Sequence, residues 1–336
     1  MSWSVMFARV LLGTLAILWP LPAFAELVSP EDLQAFRRPA VVPFPQNAPY
    51  DREIATLGKM LFFDPRLSAE QNMSCATCHN PSFGWEAPVA RAVGTKNTPL
   101  SRHTPTILNS AWSDRFFWDG RARSLETQAK APILTPEEMN SSFTVIEARL
   151  NQVEEYHEHF NRLFPQEGIR ERTILLALAT FERTVVTKLA PFDYWVEGDT
   201  NAISESAKNG FSLFVGKAGC SGCHATWRFS SNGFFNVGSQ DRMFSRYVPP
   251  PPETSKPLFK VPTLRNISLR APYMHLGNLR DLQEVVNHYA QVSDTDPTLD
   301  IAPFEATPQE ISDIIAFLRT LTEEGTDVRA PVLPAN

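Results

Sequence analysis

The sequence has no excess of basic residues: 31 lysines and arginines stand against 37 acids, a formal net charge of −6. That balance argues against a nucleic-acid surface built on phosphate neutralisation. Long apolar runs are missing apart from Val10–Trp19 near the N-terminus, and that run is too short to span a bilayer comfortably. No later stretch is apolar for long enough, so no transmembrane helix is expected in the rest of the chain. Segments that alternate as strands do are scarce, which turns the expectation away from a sheet-based fold. Cysteine is scarcest of all, with four residues in 336.

What is present begins with a separate object. Arg9 precedes the apolar run, and Pro20, Pro22 and Ala23-Phe24-Ala25 follow it. This order reads as a cleavable signal peptide over residues 1–25, with an uncleaved anchor as the alternative. Those residues are left out of the fold. Export places the chain in the periplasm, where thiols tend to oxidise. The segment holds one cation and no acid, so the mature chain is slightly more acidic than the whole. A mildly acidic surface is compatible with a basic or dipolar redox partner.

The four cysteines fall in two groups, Cys75-Ala76-Thr77-Cys78-His79 and Cys220-Ser221-Gly222-Cys223-His224. Both are CxxC followed at once by His, the attachment signature of a c-type haem. Two thiols three positions apart can add to the two vinyl groups of one porphyrin, and the adjacent His supplies an axial nitrogen to iron. Two structural disulfides would not need the histidines. A compact zinc module would not place its two pairs 142 residues apart, as Cys78 and Cys220 are. A thioredoxin-like motif would not need His after the second Cys in both places. The expected cofactors are two covalently attached c-type haems, bound by Cys75, Cys78 and His79 and by Cys220, Cys223 and His224.

Residues 26–50 are proline-rich (Pro39, Pro43, Pro45, Pro49) and read as an extended arm. Asp51–Phe63 has helical spacing, with Ile54, Leu57, Leu61 and Phe62 on one side, and leads into the first CxxCH. Residues 80–123 carry the Pro, Gly, Asn and aromatics of loops wrapped around a cofactor. Long amphipathic helices are expected near 143–163 and 169–188, then a helix at 203–217 before the second CxxCH. Tyr247–Pro257 reads as a loop with a polyproline core, and helices near 280–291 and 308–322 close the chain. The expected fold is mainly α, with two cytochrome c-like domains that each carry one covalently bound haem. Their expected limits are 51–200 for the N-terminal haem domain and 201–323 for the C-terminal one, with a tail at 324–336.

The likeness goes beyond the haem motif. LGKMLFFDPRLS (57–68), SCATCHNP, FWDGR (117–121), QAK (128–130) and EMN (138–140) stand in one order with LRN (264–266), APYMH (271–275) and FLRTLT (317–322). Together they resemble the bacterial dihaem cytochrome c peroxidase and MauG family over about residues 50–323. In that family the N-terminal haem reacts with hydrogen peroxide, and the C-terminal haem stores or relays electrons. A tryptophan lies between them, and Trp118 occupies its position; a core aromatic beside Phe116 and Phe117 is the plainer reading. Peroxide cleavage needs an open iron position and a proton acceptor that becomes a donor to the leaving oxygen. The family's pattern puts a Gln and a Glu on that face ten and twenty residues after the tryptophan, here Gln128 and Glu138. Glu138 is the acid/base candidate, Gln128 would orient peroxide, and Pro132 would limit what enters. Glu137 and Glu138 would also suit a helix start after Pro136.

Departures from the family matter as much. A histidine that closes the distal site in many of these peroxidases is Thr95 here, so the first haem is expected to be open in the all-ferric state. His103 is the nearby alternative ligand. His103 also stands where the family has a calcium-binding asparagine, and Arg270 stands at another calcium contact, where a backbone oxygen can still serve. Cationic side chains in a calcium site are electrostatically unfavourable, which counts against the usual inter-haem calcium. Fourteen residues after His275, where the peroxidases place a ligating Met, this chain has Tyr289, as MauG does. A phenolate favours ferric or higher iron, whereas a thioether raises the potential. The alternatives to Tyr289 as ligand are His288 or a methionine. MauG has a tryptophan two residues before the second CxxCH where this chain has Ala218; Trp195 or Trp227 is the substitute exit considered.

The resemblance implies a MauG-like enzyme that uses peroxide to withdraw electrons from a tryptophan or tyrosine of a protein partner. The alternatives are a conventional cytochrome c peroxidase fed by a small cytochrome c or cupredoxin, and a dihaem electron carrier without enzymatic activity.

Overall fold

The computed structural model describes residues 33–238, 258–292, 298–325 and 328–335. The expected signal peptide and the Tyr247–Pro257 loop lie outside these residues. Among the described residues the regular structure is almost entirely helical. The helices are α1 (Arg52–Phe63), α2 (Cys75–Cys78), α3 (Leu125–Leu134), α4 (Phe143–Asn151), α5 (Glu154–Leu163), α6 (Glu171–Thr184), α7 (Pro191–Val196), α8 (Glu205–Val215), α9 (Leu282–Ala290) and α10 (Pro308–Arg319). The strands β1 (Phe234–Phe235) and β2 (Phe259–Lys260) form one antiparallel pair.

Each half is organised around the helix that precedes its CxxCH. Helix α1 starts where Asp51 accepts the backbone N–H groups of Glu53 and Ile54 at 2.8 and 3.0 Å, satisfying two free donors of the first turn. Its Leu57 and Leu61 are buried, and it crosses α6 at Gly58. A Cβ at Gly58 would lie 1.9 Å from the carbonyl oxygen of Ala177, so the two backbones touch there. The second half repeats the device. Helix α8 crosses α10 at Gly210, where a Cβ would lie 1.9 Å from the carbonyl oxygen of Asp313. In both cases a glycine lets the haem-bearing segment be anchored on a later helix of its own half.

One expected helix is two. The periodic stretch 143–163 breaks into α4 and α5 at Gln152 and Val153, where Val153 takes extended backbone angles (φ −98, ψ 108). The apolar spacing runs on through the break because Leu150 and Val153 both enter the core. Periodicity cannot see such a turn when both sides of it bury the same face. Helix α6 likewise ends at Thr184, short of 188.

Two apolar cores result. Leu57, Leu61, Ile146, Tyr156, Phe160 and Leu178 belong to the first. Phe192, Phe211, Phe214, Phe229, Ile314 and Phe317 belong to the second. Helix α7 lies before residue 200 yet gives Phe192 and Val196 to the second core. The chain ends cross over: Phe36 of the arm is buried in the second core, while Leu333 of the tail packs on the first. Arg66 fastens that tail by donating to the Pro334 carbonyl at 2.8 Å. Between the cores, the loops of residues 80–123 meet residues 259–277 across a seam.

Candidate functional site

The first CxxCH forms the single turn α2. Ser74 precedes it, and its backbone N–H donates to the Thr77 hydroxyl at 2.9 Å. The second CxxCH forms a 3-10 turn, Cys220–Gly222. In both, the histidine that follows has its Nδ1 against a backbone carbonyl. His79 faces Trp85 O at 3.2 Å, and His224 faces Phe229 O at 2.7 Å. A ring that donates from Nδ1 keeps the lone pair of Nε2 for a metal and has its orientation fixed. Burial pushes the His79 imidazolium pKa down and that of His224 to about 4, so both rings are neutral near pH 7, the form an iron ligand needs.

The thiols match this use. All four cysteines are free. Burial pushes Cys78 up to about 11 and Cys220 to about 12, and raises Cys75 and Cys223 as well. No group of three or more His, Cys, Asp or Glu that could hold a metal ion occurs among the described residues.

A cavity of about 810 Å³ opens beside Cys75, Cys78 and His79. Phe62, Ile107, Leu108, Leu125 and Met139 supply apolar wall, and Arg115, Arg228 and Lys260 supply charge. Burial, with Arg228 adding like charge, pushes the Lys260 ammonium down to about 8; burial alone brings Arg228 to about 10, with Asp114 the one acid opposing both. Buried cations gathered on one wall are costly unless an anion joins them. The two propionates of a haem attached at Cys75 and Cys78 would supply it. Size, apolar walls, neutral histidine and cationic edge all fit that group.

The remaining wall of the cavity holds the residues expected there. Helix α3, capped by Ser124, carries Gln128 and Pro132; the turn after it carries Glu138; all three line the cavity. Pro132 has no N–H, so the Gln128 carbonyl four residues earlier lacks its helical donor. Burial raises the Glu138 carboxyl above the usual carboxylate range, opposed by Arg121. Arg121 in turn is held on Asp119 at 2.9 and 3.0 Å.

Thr95 does not point at the cavity. Its hydroxyl donates to Pro136 O at 3.0 Å and its N–H to Glu138 O at 3.0 Å. Gly94 beside it would bring a Cβ within 1.8 Å of Glu137 O. The segment is a clamp on the Glu138 turn. His103 is engaged too: Nδ1 faces Val89 O and Ala90 O at 3.1 and 3.2 Å, and Nε2 faces Glu86 at 3.3 Å.

Trp118 sits at the seam. Its Nε1–H donates to His103 O at 2.8 Å, its carbonyl accepts from Lys260 N at 2.8 Å, and its ring lies edge-on to His275 at 6.1 Å. It thus joins the first half to the second. Helix α9 carries Tyr289. Burial, with the Cys220 and Cys223 thiols adding, holds its phenol far above the usual range, which sets it close to that motif. His288 has Nε2 on Val237 O at 2.9 Å, and Met274 packs against the second core. Trp227 is buried against Trp112 at 4.7 Å, under the guanidinium groups of Arg38 and Arg265; Trp195 packs on Phe192 and Phe211.

Sequence reasoning missed Glu86, Glu182, Arg228 and Lys260. They come from four separate segments with no motif around them, so only folding brings them to the cavity.

These features define a protein built on two attached c-type haems, with a cavity for chemistry at one. The family model for di-haem cytochrome c peroxidase matches residues 52–201, and that for cytochrome c matches 207–322. The methylamine utilization protein MauG of Methylorubrum extorquens is 46% identical over 316 residues, covering 91% of this chain and 90% of that protein. The cytochrome c551 peroxidase of Nitrosomonas europaea is 36% identical, covering 88% and 87%. A crystal structure of a MauG-like protein associated with microbial copper homeostasis superposes with a TM-score of 0.75 at 28% identity, covering 86% of this chain and 95% of that one. The diheme peroxidase BthA of Burkholderia thailandensis shares the fold, with a TM-score of 0.70 at 21% identity over 85% and 92%. The chain belongs to the dihaem cytochrome c peroxidase and MauG family. It is an enzyme of that peroxidase class and carries two c-type haems.

Proposed function

We propose that the protein is a MauG-like oxidoreductase, which uses hydrogen peroxide at the His79 haem and withdraws electrons from a protein partner through both haems. Cys75, Cys78 and His79 would hold the haem whose iron would supply the peroxide-binding position and the redox equivalents. The observation that carries this reading is the engagement of Thr95 and His103: each is tied to other protein groups, so neither closes the cavity face that holds Glu138. Glu138 accepts the proton of the bound peroxide and returns it to the leaving oxygen. Gln128 orients the peroxide, and Pro132 narrows the entry. Trp118, at the seam between the halves, would serve as the relay between the two haems. Tyr289 would hold the iron of the second haem together with His224, while the His288 ring is engaged with the Val237 carbonyl. We further propose residues 51–200 and 201–323 as the two haem domains, with α7 of the first packed on the second, a leader at 1–25, and the periplasm as the compartment. No helix among the described residues is long and apolar enough to cross a membrane.

A conventional peroxidase, fed by a small cytochrome c or cupredoxin, is the second reading, favoured by the likeness to the cytochrome c551 peroxidase of Nitrosomonas europaea. Adding peroxide to the all-ferric protein without reductant separates the two. Rapid formation of a long-lived oxidised species is expected. Reaction only after one haem is reduced would assign the second reading, and no reaction in either state would leave an electron carrier.

A further inference from the structure

Behind Trp118, at the seam, lies a buried charge cluster that the scheme above does not use. Glu86 follows the first CxxCH and is 4% exposed, and Arg270, from the second half, is also 4% exposed. The Glu86 carboxylate accepts Arg270 Nε at 3.0 Å and Thr106 N at 2.9 Å on one oxygen, and faces His103 Nε2 at 3.3 Å on the other. Arg270 also donates Nη1 to Thr263 O and Arg265 O at 2.7 and 2.8 Å. His103, 2% exposed, has Nδ1 against two carbonyls and Nε2 against a carboxylate. Its two ring nitrogens thus span the loop carbonyls of residues 89–90 and the Glu86 carboxyl group. Glu86 therefore meets the Arg270 guanidinium and the His103 ring.

The family resemblance puts a calcium ion at this seam. The residues here do not fit one: the Glu86 carboxylate is taken by the Arg270 guanidinium and faced by the His103 ring, and the guanidinium would repel a hard dication. Gly84 makes room for this arrangement, since at φ +60 a Cβ there would lie 2.5 Å from Arg270 Cγ.

We propose that Arg270 and His103, clamped on Glu86, replace the ion as the cross-link between the halves and serve as positioning residues for Trp118. The connection is direct. The His103 carbonyl accepts the Trp118 indole N–H at 2.8 Å, and the His103 N–H donates to His275 O at 2.8 Å. His275 is the ring that Trp118 meets edge-on and that Phe259 stacks on at 3.7 Å. Moving His103 moves the acceptor that aims the indole. This inference rests on the reading of Trp118 as relay, not on peroxide chemistry.

The test uses the purified holoprotein and electron transfer between the haems after one is photoreduced, which needs no peroxide. Metal analysis is expected to find no stoichiometric calcium, and EGTA to leave that rate unchanged. Glu86→Gln is expected to slow the transfer roughly tenfold or more, because a displaced relay costs rate steeply. Arg270→Lys, which keeps the charge, is expected to slow it less. Should Glu86→Gln fail to fold, His103→Asn and Arg270→Lys carry the same reading. One calcium per chain whose removal slows transfer would overturn the proposal. So would variants that lose thermal stability at an unchanged transfer rate, since that is a merely structural role.

Discussion

Replacing Glu138 by Gln tests the chemistry at one atom. The substitution keeps the size of the side chain and leaves the main-chain clamp intact, because Thr95 holds the Glu138 carbonyl and the Pro136 carbonyl rather than the carboxyl group. What is lost is an acceptor for the peroxide proton. Positioned proton transfer contributes about 10²–10⁴-fold, equivalent to about 3–5 kcal/mol of barrier. Stopped-flow mixing of peroxide with the ferric holoprotein is expected to show a loss within that range. The pH dependence carries a second check. Burial raises the Glu138 carboxyl above the usual carboxylate range, and only its ionised form accepts a proton. The wild-type rate should climb as pH rises through that raised value, and Glu138→Gln should flatten the climb. A Gln variant within about threefold of wild type, with the same pH profile, would refute the assignment, since proton-transfer roles contribute far more than that.

Gly58→Ala and Gly210→Ala each put a Cβ 1.9 Å from a facing carbonyl oxygen; overpacking of this kind costs about 1–3 kcal/mol or more, and thermal unfolding of either variant should fall by several degrees. Tyr289→Phe should change the spectrum of the second haem and shorten the life of the oxidised species, while peroxide still reacts at the first. Trp118→Phe should leave peroxide binding in place and slow the sharing of oxidation between the haems. Burial pushes the Glu182 carboxyl up to about 8 from 4.5. Its folded form therefore holds a proton more tightly than the unfolded chain, so its contribution is complete below pH 4.5 and is lost as pH rises through 8, by at most about 5 kcal/mol. Glu182→Gln should remove that part of the slope in denaturant unfolding measured from pH 5 to 8.

The two c-type haems were legible because two thiols and a histidine must be adjacent in the chain to meet one porphyrin, so sequence spacing and spatial geometry coincide. Helical content was legible for a similar reason: amphipathic periodicity is local. The glycine crossings at Gly58 and Gly210 were not, since a glycine on a helix looks like a weak position until the facing carbonyl is known. The α4–α5 break escaped because Leu150 and Val153 keep the periodic pattern through the turn. Thr95 marks the limit most plainly. Its identity spoke only to iron ligation, whereas its bonds to Pro136 and Glu138 join residues about 40 apart and exist only in the fold. The Glu86–His103–Arg270 cluster is of that same kind, drawn from three segments with no shared pattern.

The most direct measurement is the ligand state of the iron held by His79 in the resting, all-ferric protein, read by electron paramagnetic resonance and a holoprotein crystal structure. The account predicts a high-spin centre with no side chain on the Glu138 face. A low-spin centre whose second ligand is a protein nitrogen, oxygen or sulfur, retained after the other haem is reduced, would contradict it.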